Sequence, residues 1–271
     1  MSGRLTILGC GSSAGVPRVA QGWGACDPLN PRNRRRRCSI LVEQTSPDGV
    51  TSVLVDTSPD LREQLLATGL ERLDGILMTH SHADHTHGID DVRPLAARMR
   101  GLVDVHMDAA TSAVVRHNFR YIFETPAGSS YPPLLNERRL TPGEACVVDG
   151  PGGQLTALPF RLEHGEIDAL GFRFGDVAYT PDLKSIPGES RRFLEGLDLW
   201  IIDALRYTEH PTHFSVAEAL QLIREFQPRR AVLTNLASDL DYETLCREVP
   251  GNVEAAWDGM SFKIQLNSWK L

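Results

Sequence analysis

The segment Thr79-His80-Ser81-His82-Ala83-Asp84-His85-Thr86-His87-Gly88 sets four imidazoles and a carboxylate within a few positions, directly after the apolar strand Gly75 to Thr79. Imidazole and carboxylate are the usual ligands of zinc and similar transition metals. In an extended turn His80 and His82 share a face, because residues two apart point the same way. Asp84 and His85 fall on the next bend, where they reach a second ion. Crowded, unpaired imidazoles cost stability unless a metal or an acid compensates, so metal binding is the expected role.

Outward from this segment, strand-like and helix-like stretches alternate. Leu5 to Leu8 is a short strand running into the glycine-rich turn Gly9 to Gly15. Its G-x-G-x-x-x-G spacing and the following Pro17 fit a tight turn rather than a nucleotide loop. Residues 18–37 are loop-like and end in Arg34-Arg35-Arg36-Arg37, read as a solvated face, with a phosphate-facing patch as the alternative. Ser39–Glu43 and Ser52–Asp56 form a hairpin around Ser46-Pro47-Asp48-Gly49. Ser58-Pro59-Asp60 reads as a helix start with Ser58 at the N-cap, and Gly69 as its end. A strand at Val103–Met107, helical periodicity over 109–123 and a Pro/Gly-rich excursion from Thr125 to Pro133 follow. Strands are expected near 145–149, 154–163, 170–174 and 177–180, then a helix near 189–196 and a buried strand Leu199–Ile202. The capping box Ser215-Val216-Ala217-Glu218 opens a helix to about Gln227. Strand 231–234, a short helix after Asp241 and a terminal pair of strands close the chain. The expectation is one domain of mixed α and β over residues 1–271.

Composition narrows the function classes. The chain is 41% hydrophobic and 23% charged, which excludes disordered, collagen-like and coiled-coil classes. A net charge of −7 argues against a general polyanion-binding surface, so long nucleic acid is not an expected partner. The five scattered cysteines hold no C-x-x-C pair, and no apolar run approaches the ~20 residues of a membrane span. A cytoplasmic protein without a membrane partner is expected.

The segment from His80 matches H-x-H-x-D-H, and here the chain resembles the metallo-β-lactamase-fold hydrolases over nearly its whole length. Val55-Asp56-Thr57, His164-Gly165, Tyr179-Thr180-Pro181-Asp182 and the terminal strands extend the likeness. Gly15-Val16-Pro17, the Arg-rich entry to the second strand and His213-Phe214-Ser215 bring it nearest the PhnP-type phosphodiesterases and the related tRNA-processing nuclease RNase Z. The resemblance implies an α/β, four-layer αββα sandwich: two mixed sheets flanked by helices, with metals at one edge. It also implies His80, His82 and His164 on a first ion, Asp84 and His85 on a second, and Asp182 bridging them. The cofactors so implied are one or two divalent transition ions, zinc or manganese. Asp56 would orient a loop or a ligand, or simply form the turn at a strand end.

Two departures stand out. The late histidine usual in this superfamily is missing from Leu233-Thr234-Asn235-Leu236-Ala237-Ser238-Asp239, and no histidine follows His213. Asn235 is then a candidate weak ligand or substrate contact. The Cys-x-Cys-x-x-Cys of an additional zinc site is also absent. His213 stands two residues before the capping-box helix. In the nuclease branch a histidine at a similar place acts near the scissile phosphate, as acid or contact. Arg93, after Asp90-Asp91, is a candidate phosphate contact or a salt-bridge partner of those acids. The expected function is hydrolysis of a small cyclic or nucleotide-like phosphodiester through metal-activated hydroxide, with Asp84 and His213 as catalytic groups. Hydrolysis of a thioester or lactone, or a metal-binding member of reduced activity, is the alternative. A small phosphodiester is the expected partner, with room for a homodimer.

Overall fold

The structure, a computed structural model, describes residues 2–266. Its strands in chain order are β1 (Ser2–Gly9), β2 (Ser39–Ser46), β3 (Gly49–Val55), β4 (Gly75–Leu77), β5 (Val103–Met107), β6 (Leu135–Arg139) and β7 (Cys146–Val148). They continue with β8 (Leu155–His164), β9 (Ile167–Phe174), β10 (Val177–Thr180), β11 (Leu199–Asp203), β12 (Arg230–Thr234), β13 (Val253–Ala255) and β14 (Ser261–Gln265). One seven-stranded sheet has the order β14-β1-β2-β3-β4-β5-β6 and the other β13-β12-β11-β10-β9-β8-β7. Helices α1 (Leu61–Thr68), α2 (Ala83–Thr86), α3 (Arg93–Met99), α4 (Ala109–Asn118), α5 (Gly188–Arg191), α6 (Val216–Phe226) and α7 (Tyr242–Glu248) sit in the connections.

The layering follows from strand periodicity, since alternate residues face opposite sides of a sheet. In β3, Val53 and Val55 enter the core between the sheets, while Leu54 faces Leu61, Leu65, Leu95 and Val115 of α1, α3 and α4. In β11, Leu199 and Ile201 point to the same central core, and Trp200 and Ile202 face Ala219, Ile223 and Leu245 of α6 and α7. Helices therefore cover the outer face of each sheet, giving four layers, α-β-β-α. The pairs β3–β4, β4–β5, β10–β11, β11–β12 and β12–β13 are parallel. Their C-terminal ends open on the same side of each sheet, where a doubly covered parallel sheet presents its loops.

Several local expectations change. Helix α1 begins at Leu61, with Asp60 as its N-cap, because the Ser58 hydroxyl donates to Gln64 Oε1 (2.8 Å). The helical stretch from 109 stops at Asn118 and tightens into a 3-10 turn, and β6 occupies residues with no alternation strong enough to announce it. The terminal strands do not pair with one another. β13 extends the second sheet in parallel beside β12, whereas β14 crosses to lie antiparallel to β1 in the first.

The arginine run is neither a solvated face nor a phosphate patch. Arg35 is 1% exposed and donates to the carbonyls of Ala237 (3.2 Å) and Leu240 (2.7 Å). Arg36 pairs with Asp258, Arg37 with Asp60, and Arg34 lies over the Trp23 ring. Arg35, Arg36 and Arg37 tie the long loop after β1 to other parts of the chain, whereas Arg34 is exposed and packs within the loop itself. Among the described residues no helix is long and apolar enough to cross a membrane.

Candidate metal centre and active site

The strand ends converge on one cleft. Asp56 follows β3, Thr79 and His80 follow β4, His164 ends β8, Asp182 follows β10, Asp203 ends β11 and Asn235 follows β12. A cavity of about 310 Å³ is lined there by His82, Asp84, His164, Asp182, His213, Asn235 and Ala237, together with residues of the loops after β1 and β11.

Three overlapping groups bring ligand atoms within 4.8 Å of one another: His80, His82 and His164; His80, His85 and Asp182; His164, Asp182 and His213. His85 and His164 are held by contacts outside the cluster. Asp56, fully buried with φ 64°, accepts from the Thr79 backbone N–H and hydroxyl (both 2.8 Å) and meets His85 Nδ1 at 2.7 Å. That contact turns His85 Nε2 toward Asp182 Oδ2, 3.0 Å away, and Asp84 Oδ2, 3.5 Å away. His164 Nδ1 donates to the Thr212 carbonyl (2.8 Å), which leaves Nε2 facing His82 Nδ1 at 3.3 Å. The turn that makes this possible needs Gly165 at φ 67°, because a Cβ there would meet the Thr212 side chain at 2.4 Å.

The donor set fits a cation. His80 Nε2, His85 Nε2 and Asp182 Oδ2 are buried without a hydrogen-bond partner. A buried polar atom left unpaired costs about 1–3 kcal/mol, and although His85 Nε2 and Asp182 Oδ2 face each other at 3.0 Å, none of the three has a well-formed hydrogen bond, so a compensating group fits among them. Burial, with His85 next, holds His80 well below the usual imidazole pKa, so its Nε2 keeps a free lone pair. Burial opposes charge on His85 too, but Asp182, Asp56 and Asp84 outweigh it and raise its pKa. A divalent transition ion requires neutral imidazoles beside an anionic carboxylate; His80 already meets this, and a bound cation would take the place of the proton that the acids favour on His85.

The other wall is a hydrogen-bonded network. His213 Nδ1 lies 2.9 Å from Asp203 Oδ2, and the same oxygen accepts from the backbone N–H of Leu183 (3.2 Å) and Phe214 (3.4 Å). Burial pushes the Asp203 carboxyl up to about 6. Burial would lower His213, but Asp203 and then Asp182 raise it to about 9, so the ring is protonated at neutral pH. The capping box of α6, Ser215 with Glu218, fixes the chain immediately after His213.

Asp203 escaped sequence reasoning. Its one signal was an acid ending the apolar run Leu199–Ile202, and nothing local linked it to His213 ten positions on. His210, read as a surface or core-edge residue, lines the same cavity with its ring 5.1 Å from His213. His87 is exposed and packs edge-on to Phe119, away from the cluster.

Two candidates are corrected. Asn235 faces Asp182 Oδ1 and Asp203 Oδ1 (both 3.1 Å) with its amide nitrogen. A donor between two carboxylates offers no lone pair to a metal, so Asn235 positions the acids rather than acting as a weak oxygen ligand. Arg93 does not reach the cavity, because it stands three residues beyond Asp90 on the same helical face and pairs with it at 2.6 Å.

Comparisons with known proteins agree with this architecture. The family model of the beta-lactamase superfamily domain matches residues 51–234. A crystal structure of a new diphosphatase from the PhnP family superposes with a TM-score of 0.87 at 35% identity, covering 98% of both chains. An octanoyltransferase from Porphyromonas gingivalis is 31% identical over 261 residues, which are 95% of this chain and 51% of that protein. A ribonuclease Z from Bradyrhizobium is 32% identical over 146 residues, 53% of this chain and 46% of that enzyme. The chain thus spans about half the length of these two curated relatives and 98% of the diphosphatase. With two mixed sheets, a histidine–aspartate cluster at their shared edge and this match, the chain belongs to the beta-lactamase superfamily of metal-dependent hydrolases, in its PhnP branch.

Proposed function

We propose that the protein hydrolyses a small phosphodiester. His80, His82 and His164 would hold one divalent ion, Asp84 and His85 a second, and Asp182 would lie between them. When bound, such ions supply Lewis acidity and neutralise phosphoryl charge. Asp84 and Asp182 accept hydrogen bonds from the attacking water and orient it toward phosphorus. Asn235 bridges Asp182 and Asp203 by donating to both, which offsets their mutual repulsion.

The observation that carries the reading is the His213–Asp203 pair in the cavity wall. Cleaving a phosphodiester expels an alkoxide, a poor leaving group that gains from protonation as it departs. A thioester expels a thiolate whose conjugate acid has a pKa of about 8.5, and it needs no such donor. His213 is charged at neutral pH, anchored through Nδ1, and free to give the Nε2 proton to the leaving oxygen. Its place beside His164 and Asp182 on the cavity wall supports that role.

The test compares zinc- and manganese-supplemented protein on bis-p-nitrophenyl phosphate, an alkyl p-nitrophenyl phosphate cleaved at either ester, and an acyl thioester. Phosphodiester turnover is expected. His213→Asn should lose about 10²–10⁴ in rate on cleavage that expels the alkoxide, and far less on cleavage that expels p-nitrophenolate. Thioester turnover with no phosphodiester turnover overturns the reading.

A further inference from the structure

His80 is set differently from the other imidazoles of the cluster. His85 leans on Asp56 and His164 on the Thr212 carbonyl, whereas His80 Nδ1 meets the hydroxyl of its own neighbour, Thr79, at 2.9 Å. Among the described residues no other hydrogen bond reaches the His80 ring, and its Nε2 is buried without one. A neutral imidazole carries a single proton on one nitrogen or the other, so neutrality alone does not open Nε2 to a cation. Whatever holds that proton on Nδ1 decides whether His80 is a ligand.

The Thr79 hydroxyl has the geometry to do so. It lies 2.8 Å from Asp56 Oδ2, while the Thr79 backbone N–H donates to Asp56 Oδ1, also at 2.8 Å. His85 Nδ1 reaches the same Oδ2 at 2.7 Å, so three donors converge on this carboxyl. Burial raises the Asp56 pKa, and His85 and both Thr79 donors oppose that rise. A hydroxyl owns one hydrogen, and a carboxylate only accepts. With that hydrogen given to Asp56, the Thr79 oxygen faces His80 Nδ1 with its lone pairs, and the ring proton belongs on Nδ1. The placement is rigid. Thr79 is 1% exposed, and its carbonyl accepts from the Leu170 N–H of β9 (2.8 Å), which ties it to the second sheet. Asp56 is held by its own N–H to the Leu77 carbonyl (2.9 Å) and by Ser39 Oγ, which donates to its carbonyl (3.0 Å).

We infer that Thr79 is a positioning residue for the metal centre: its hydroxyl, donating to Asp56 and accepting from His80, holds the tautomer that leaves His80 Nε2 open to the first ion. One carboxylate, Asp56, then governs a ligand of each ion, His85 directly and His80 through Thr79. The inference rests on the ion assignments of the proposed function and adds the residue that makes His80 a ligand.

The test measures zinc affinity by chelator competition in the native full chain, Thr79→Val and Thr79→Ser. Valine keeps the shape and removes the hydroxyl, whereas serine keeps the hydroxyl. Thr79→Val should weaken the tighter ion by about 10–100-fold, the usual loss when the partner of a ligating histidine is removed. The weaker ion, whose His85 is held by Asp56 directly, should change by about 3-fold or less, and Thr79→Ser should stay within about 3-fold at both ions. Nitrogen-15 spectra of the histidine-labelled native chain, stripped of metal, should place the His80 ring proton on Nδ1, the signal being identified by its absence from His80→Gln. Unchanged affinity for the tighter ion in Thr79→Val overturns the inference and leaves the ion assignments standing. Equal losses at both ions, or a loss in Thr79→Ser that matches Thr79→Val, reduces Thr79 to a packing role and overturns it as well. If Thr79→Val does not fold, the native spectrum decides, and a proton on Nε2 overturns the inference. A native chain that takes up no zinc sinks the ion assignments; a proton on Nδ1 then still keeps the tautomer with Thr79, and a proton on Nε2 sinks both.

Discussion

The cleft has two unlike walls. The early wall comes from one short stretch, His80 to His85, buttressed by Asp56 from the neighbouring strand end. The Nε2 atoms of His80 and His85 are buried there without hydrogen-bond partners. The late wall is assembled from four separate places, Asp182, Asp203, His213 and Asn235, and it largely satisfies itself through hydrogen bonds. The early wall is arranged for a cation from outside the chain. The late wall, where the superfamily's usual histidine is absent, spends its polar groups on one another. Asn235, at the position where that histidine would stand, fills most of the hydrogen-bonding need of this wall, leaving Asp182 Oδ2 free toward the cluster.

The largest effect should come from breaking the early wall. Protein purified without chelator is expected to carry about one to two transition ions per chain, as a two-ion hydrolase site allows. His80 belongs to two of the three ligand groups, so His80→Ala should abolish the tighter ion and activity with it. Elemental analysis before and after reconstitution measures the loss. A variant that keeps its full metal content would show that the cluster does not bind as the geometry implies.

A smaller, opposite effect should come from giving the late wall its histidine. Ala237 lines the cavity and makes its hydrogen bonds only through its backbone, so Ala237→His adds a ligand without removing a hydrogen bond. It should tighten the weaker ion by about 10–100-fold and raise turnover at low metal. Asn235→His should gain less, because it also deletes the donor shared by Asp182 and Asp203. Metal titrations of the two variants side by side give the order. Equal gains would mean that Asn235 does not hold the acids.

The smallest effect concerns the outer support of that wall. Asp241 caps α7 through Thr244 N–H (3.0 Å) and binds the long loop through Asp27 N–H (3.2 Å) and Asn33 Nδ2 (2.7 Å). Although burial opposes it, the donors at Thr244, Asp27 and Asn33 hold the carboxyl down to about 2. A carboxyl depressed in the folded state stabilises it above the unfolded pKa, and that contribution disappears as pH falls from about 4 to 2. Asp241→Ala should cost about 1 kcal/mol at neutral pH, a few degrees in Tm. The gap between the two melting curves should close over that acidic window. A gap that persists unchanged at pH 2 would assign the loss to packing instead of charge.

The legibility of the site divides along the same line. His80, His82, Asp84 and His85 announce themselves, because their spacing within one turn is itself the ligand geometry. His164 and Asp182 became readable only by resemblance, since each stands alone in its own stretch. Asp203 shows only an acid at the end of an apolar run, and His210 carries no local pattern at all. The arginine run misled for the same reason: Arg35 is buried by carbonyls some 200 residues away, which no window of sequence reveals.

By itself the sequence determined the elements whose cause is local: strand alternation such as Val53-Leu54-Val55, the capping box of α6, and the histidine cluster. Tertiary structure decided what depends on pairing between distant segments. It sent β14 to the first sheet and β13 to the second, turned Asn235 from a candidate ligand into a donor, and set Asp203 behind His213. The physical reason is range. Backbone periodicity and caps act over a few residues, whereas hydrogen bonds between strand ends exist only once two sheets have closed on a common core.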